Sequence, residues 1–195
     1  PCGTLRAGEI DVAAAGDRLP LDTLIEYLPD PDAGMTLSQV QALPASHWQL
    51  HLRGIPNFGF TSSAYWFRFR LYNHSPQPLE RLLEIDYPIL DRVSVYQISA
   101  GHLQQQWLLG DKLPFEQRVF SHRNFVVPFS LPAEGRCEIW IRVRTTSSMQ
   151  VPMTLRTSSS MAQKDQQESL LFGLYGGVAM AMLAYNLVLF LGGGR

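Results

Sequence analysis

At 195 residues the chain has room for one domain of ordinary size and an appendage, not for several domains. Its 16 basic and 17 acidic residues leave a net charge of -1, which excludes the basic surplus of a general nucleic-acid binder. Thirteen prolines and 15 glycines point to many short elements joined by turns. The two cysteines, Cys2 and Cys137, are far apart, and a count of two does not establish a disulfide. Cys137 reads as a small buried hydrophobe and Cys2 as a terminal residue near a trimmed leader, so the chain is expected to begin after an export signal.

Residues 1–60 are the least regular. Leu5 to Val12 is expected to supply an edge strand, and Leu19 to Leu28 a second extended stretch. Asp30-Pro31-Asp32-Ala33-Gly34 is turn chemistry. Thr36 followed by Gln39 predicts a capping box that starts a short helical turn.

From Ala64 the period is two. Tyr65, Phe67, Phe69 and Leu71 alternate with Trp66, Arg68, Arg70 and Tyr72, which assigns the first set to a core and the second to the opposite face. Strands follow through Leu79 to Tyr87, Val93 and Val95, Leu103 to Trp107, Phe125 to Leu131, Cys137 to Val143, and Val151 to Leu155. About eight short strands at this spacing, with turn signals between them, predict an all-β domain, a β-sandwich of jelly-roll kind over residues 1–160.

Residues 161–195 are expected to form one continuous helix to Leu191. Its first turns, with Gln163 to Glu168, are polar. Leu170 to Leu191 is uncharged and apolar on every face, a pattern for a span of a bilayer rather than for a core helix with a polar stripe. Gly173 and Gly177 have the spacing that lets membrane helices approach closely, and Asn186 is expected to bond another helix.

Several segments together resemble one family of sensors. They are Tyr65-Trp66-Phe67-Arg68-Phe69 with Leu71 and Asn73, and Tyr87-Pro88-Ile89-Leu90-Asp91-Arg92-Val93. Gly110-Asp111 follows with Pro114-Phe115 and Arg118, then His122-Arg123-Asn124-Phe125. Arg142-Val143-Arg144-Thr145 leads to Ser148-Met149 and Pro152, and the helix carries Gly173-Leu174-Tyr175-Gly176-Gly177 and Ala184-Tyr185-Asn186-Leu187. The whole resembles the type 2 extracellular domain of bacterial seven-transmembrane receptors with diverse intracellular signalling modules, over about residues 15–191.

The resemblance implies a periplasmic sandwich similar to a carbohydrate-binding module and the first of seven helices in the inner membrane. It also implies a cytoplasmic output, such as a histidine kinase, a diguanylate cyclase or a phosphatase, that is not in this sequence.

The candidate chemistry lies opposite the core residues. Trp66, Arg68, Arg92, Trp140 and Arg144 share that parity, and aromatic faces with guanidinium forks suit a carbohydrate or a small anionic ligand. Asp86 and Asp91 would add acceptors near strand ends, and His122 with Arg123 occupies a loop. The alternative for these arginines is an ion pair with a neighbouring carboxylate, Arg123 holding Asp111 or Asp91 for example. His47 and His51 lack a third ligand and enough helix to align them, so no metal or other cofactor is expected.

No nucleophile elbow or phosphate-cradling loop occurs. The leading expectation is therefore a ligand-sensing receptor domain, not an enzyme. A protein-interaction or homodimerisation module without a small ligand is the alternative, and a carbohydrate-active enzyme would need two carboxylates converging in a groove.

Overall fold

The alternation of apolar and polar residues resolves into facing sheets. A computed structural model describes residues 8–192. The chain divides into two units, one ending at Thr157 and the other starting at Ser158. The first unit contains strands β1 (Glu9–Asp11), β2 (Arg18–Pro20), β3 (Glu26–Asp30), β4 (Gln49–Leu50), β5 (Asn57–Phe60) and β6 (Ala64–Tyr72). They are followed by β7 (Leu79–Ile85), β8 (Arg92–Ser99), β9 (His102–Leu109), β10 (Phe125–Leu131), β11 (Arg136–Arg144), β12 (Ser148–Gln150) and β13 (Met153–Arg156). A helix of six residues, α1 (Leu37–Ala42), lies between β3 and β4.

The larger sheet runs β4-β3-β6-β11-β8-β9, with β1 added in parallel to the last residues of β6. The smaller runs β10-β7-β13-β2, and β12 pairs with β5. Phe67, Phe69, Leu71, Val93, Val95, Ile139 and Ile141 of the larger sheet meet Leu83, Ile85, Phe125, Val127 and Leu155 of the smaller, all buried. Each such side chain stabilises the fold by about 1.5–3 kcal/mol on burial, so this interface drives folding.

Cys137 belongs to the same core, and burial, with Glu138 beside it, pushes its thiol up to about 12. It therefore packs as a protonated hydrophobe. Cys2 lies outside the described residues.

The fold is the mostly β sandwich that the period of two predicts. The described strands number 13 rather than about eight, because β4, β5 and β12 have two to four residues, too few to show a period, and one expected stretch is divided. Leu19 to Leu28 divides into β2 and β3 at a turn where Leu24 N donates to the Leu21 carbonyl, 2.9 Å. Of the expected edge strand from Leu5, residues 5–7 lie outside the described residues. The capping box forms as expected: Gln39 N donates to Thr36 Oγ1, 3.4 Å, and Thr36 N to Gln39 Oε1, 2.8 Å.

The two ends of the sandwich differ. At one, Asn73 is fully buried and its Nδ2 donates to the carbonyls of Gln77 and Pro132, 2.8 and 2.9 Å, tying β6 to the turns before β7 and after β10. At the other, β6 and β8 begin while β7 and β11 end. β13 starts at this second end, with Met153 opposite Ile85, and runs toward the first, with Arg156 opposite Leu82.

The second unit is a single helix, α2 (Ser158–Gly192), of 35 residues. It is long and apolar enough to cross a membrane. Lys164 and Glu168 pair on its polar turns at 3.7 Å. Asn186 Nδ2 donates to the Met182 carbonyl one turn back, 2.8 Å. An amide in a long apolar helix is satisfied most locally by its own backbone.

Candidate functional site

The antiparallel register aligns the outer-face residues of the larger sheet in rows. One row is Glu26, Arg68, Trp140 and Tyr96, across β3, β6, β11 and β8. The next is Leu28, Trp66, Arg142 and Ser94. A third, nearer the open end, pairs Arg144 with Arg92. The expected parity is therefore present, but the rows have different fates.

The first two rows are roofed over. Val40, Leu37 and Leu43, from α1 and the residue after it, form a second hydrophobic cluster with Trp48, Leu28, Trp66, Trp140 and Tyr96. Trp66 is 0% and Trp140 3% exposed, so neither presents a ring face to a ligand. Trp48 meets Trp140 edge to face, with centroids 5.2 Å apart. Arg68 lies over Trp48 at 4.1 Å from the ring centroid, and its Nε donates to Glu26 Oε2 at 2.6 Å. Burial pushes its guanidinium down, and Glu26 partly restores it. These three predicted ligand residues form an internal layer.

The third row opens into a cleft of about 660 Å³, lined by Phe60, Thr61, Ser62, Asp91, Arg92, Lys112, Arg144, Thr145 and Thr146. Three predicted residues, Asp91, Arg92 and Arg144, converge here. Asp91 is the hub. Its Oδ2 accepts from Lys112 Nζ at 2.7 Å, from Thr146 N at 3.0 Å and from Thr146 Oγ1 at 2.9 Å. Thr145, buried behind it, shares a 2.8 Å hydrogen bond with Ser147, whose hydroxyl donates to the Ile89 carbonyl. Three segments distant in sequence are thus fastened at one carboxylate.

Desolvation alone would push the Asp91 carboxyl up, but Lys112 and the two Thr146 donors hold it below the ordinary aspartate value. Their stabilisation is present above the ordinary aspartate range and is lost as pH falls through the lowered value.

Gly110 makes this closure possible. Its φ is +149°, and a Cβ there would stand 2.1 Å from the Asp91 carbonyl oxygen. Gly110→Ala is expected to cost about 1–3 kcal/mol through backbone strain, read as a lower urea midpoint with an unchanged slope. Wild-type stability in that variant would show that the loop shifts freely.

The remaining predicted residues lie in neither place. Asn124 Nδ2 donates to Asp86 Oδ1 at 2.6 Å and to the buried Glu84 Oε1 at 2.8 Å, and Glu84 Oε2 accepts from Arg156 Nε at 2.7 Å. Asn124 N donates to His122 Nδ1, 3.0 Å, while Arg118 Nη1 donates to the carbonyls of His122 and Arg123. Asp86, His122 and Arg123 therefore belong to the anchorage of the loop before β10. The cation on Asp91 is Lys112, not Arg123.

Sequence reasoning missed Lys112, Thr146, Ser62 and Phe60. The Gly110-Asp111 turn was the available signal for Lys112, since a tight turn delivers the next side chain to a fixed place. Among the described residues no cluster of His, Cys, Asp or Glu suits a metal ion.

The model of the 7TMR-DISM extracellular 2 family matches residues 22–157. The chain belongs to that family. It thus carries the outward-facing sensor domain of a transmembrane receptor, followed by the apolar helix. No curated protein matches the chain.

Two solved structures are similar at low identity. The GH31 α-xylosidase of Xanthomonas citri has 10% identity over 74% of this chain and 15% of its own, at a TM-score of 0.33. The module CsCBM6-3 of Clostridium stercorarium, in complex with cellobiose, has 9% identity over 52% of this chain and 77% of its own, at 0.24. This chain spans only a small part of the xylosidase's length. The matched range includes Asp91, Arg92, Lys112, Arg144 and Thr146, the charged and hydroxyl groups at the base of the cleft.

Proposed function

We propose that this domain senses a carbohydrate or a small anionic ligand in the periplasm of a bacterium and that the cleft around Asp91 is where the ligand binds. The observation that supports this most is the convergence of three distant loops on one carboxylate beside an open polar cavity of about 660 Å³, a size suited to a small molecule. Ligand and partner chemistry alike are carried by the side chains, so no cofactor is invoked.

Signal transfer would start at Thr146, which reaches α2 through β12 and β13. Only Thr157 separates β13 from α2, and Arg156 is held by Glu84 on β7. A shift of β13 would therefore reach the start of α2 across a single residue of chain. Such a signal needs a ligand that binds the two receptor states with different affinity. The output, a kinase, a diguanylate cyclase or a phosphatase, would be carried by a segment beyond this sequence.

The test is a calorimetric panel of neutral sugars, sugar acids and organic acids against the chain in nanodiscs, with and without Ser62→Trp. Ser62 is exposed on the cleft wall, so the indole would fill the cavity without entering the core. At least one compound is expected to bind the wild type and to bind the variant at least tenfold more weakly. A panel without a binder, or equal affinity in both proteins, would overturn this placement.

One observation favours a protein-docking reading as well. β9 is an eight-residue edge strand with Leu103 and Leu108 exposed, and such an edge can pair with a second copy. Homodimerisation through it would appear as dimers in sedimentation without ligand.

A further inference from the structure

The charges around the cleft do not balance. Arg92 and Arg144 are direct register partners on adjacent antiparallel strands, and both are exposed on the outer face. Their Cβ atoms are therefore about 4.5–5.5 Å apart, and like charges so placed destabilise a sheet. Sheets ordinarily relieve such a pair with a carboxylate. Arg70, on the same face, has Glu138 at 3.0 Å, and Arg68 has Glu26. Among the described residues neither the Arg92 nor the Arg144 side chain has a hydrogen bond or ion pair. The one carboxylate in the cleft, Asp91, is already engaged by Lys112 and Thr146.

We propose that Arg92 and Arg144 form an oxyanion fork, holding a carboxylate, sulfate or phosphate group, so that the molecule sensed is acidic. This deepens the reading of the cleft as the ligand site and rests on it. Planar guanidinium groups pair with such oxygens in two parallel hydrogen bonds, with a geometric fit that a lysine lacks. A bound anion would also convert the repulsion between the strands into a bridge, so that ligand binding draws the start of β8 and the end of β11 together. The hydroxyls of Thr61, Ser62 and Thr146 remain for the polar substituents of the ligand.

Isothermal calorimetry on the full chain in nanodiscs separates the possibilities. The probes are glucuronate, its neutral counterpart glucose, and inorganic sulfate and phosphate, each at low and high salt. Glucuronate or a free oxyanion is expected to bind, with affinity falling as salt rises, and glucose at least tenfold more weakly. Which of the acidic probes binds best distinguishes an acid sugar from a free anion as the source of the group.

Arg92→Gln and Arg144→Gln are each expected to lower the affinity at least tenfold. Both variants should melt no lower than wild type without ligand, because the repulsion is removed. A lower melting point in both would mark the arginines as structural and overturn the fork. So would glucose binding that matches glucuronate and survives both substitutions, although that result leaves the sensor reading intact. Failure of every probe to bind the wild type also overturns the fork, whereas the wider panel decides the sensor reading.

Discussion

Trp66→Ala is expected to destabilise the sandwich domain by about 3–5 kcal/mol, a large share of the ~5–15 kcal/mol that holds such a domain together. The ring is fully buried between the larger sheet and α1, stacked with Tyr96 at 6.0 Å between centroids. Leu28 and Arg142 stand beside it on the neighbouring strands. Truncation would leave a cavity that neither the sheet nor the short helix can close, and loss of the α1 roof would expose Trp140 and Trp48 in turn.

Trp66→Phe separates volume from chemistry. The indole Nε1 has no hydrogen-bond partner in the fold, so phenylalanine removes an orphaned donor while keeping most of the ring. Its cost should be well below that of alanine. Urea unfolding followed by Tyr and Trp fluorescence reads both, and calorimetry on the folded fraction should show unchanged ligand affinity for each. If Trp66→Ala keeps full stability but loses ligand, the ring is a binding platform and α1 does not roof it.

How much of this was legible in the sequence depends on the range of the interactions. The parity of Trp66, Arg68, Arg92, Trp140 and Arg144 follows from a period of two, a local property of β6, β8 and β11. Whether that face meets solvent depends on Trp48 and Val40, which come from the irregular first 60 residues. α1 has only six residues, so its apolar stripe is too short to announce which sheet it covers. An exposed Trp/Arg surface was therefore the natural expectation for two rows that the fold encloses.

The cleft shows the same limit from the other side. Asp91 and Arg144 were legible as strand-end residues, but Lys112 and Thr146 join them only through the register of β8, β9 and β11. The small-residue requirement at Gly110 likewise follows from the approach of the Asp91 carbonyl, a contact across 19 positions of sequence. Local pattern identifies candidate residues, and long-range register decides which of them meet.

The internal ion pair gives the second large effect. Arg68→Ala is expected to cost about 3–5 kcal/mol, because it strips the guanidinium from Glu26, a carboxylate only 3% exposed. The same change removes the cation from the faces of Trp48 and Trp140, at 4.1 and 5.4 Å from their centroids. Arg68→Met with Glu26→Leu should recover most of the loss, since replacing both charges by apolar groups of similar volume ends the need to desolvate either one. A double-mutant cycle in urea measures the coupling, expected at about 3 kcal/mol or more, since it must be at least as large as the loss that the double variant recovers. Additive single effects would mean that the pair is solvated enough to be indifferent, in contradiction to its burial. An arginine that the fold has already given a carboxylate should register in stability, and one left without a carboxylate should register in what the domain binds.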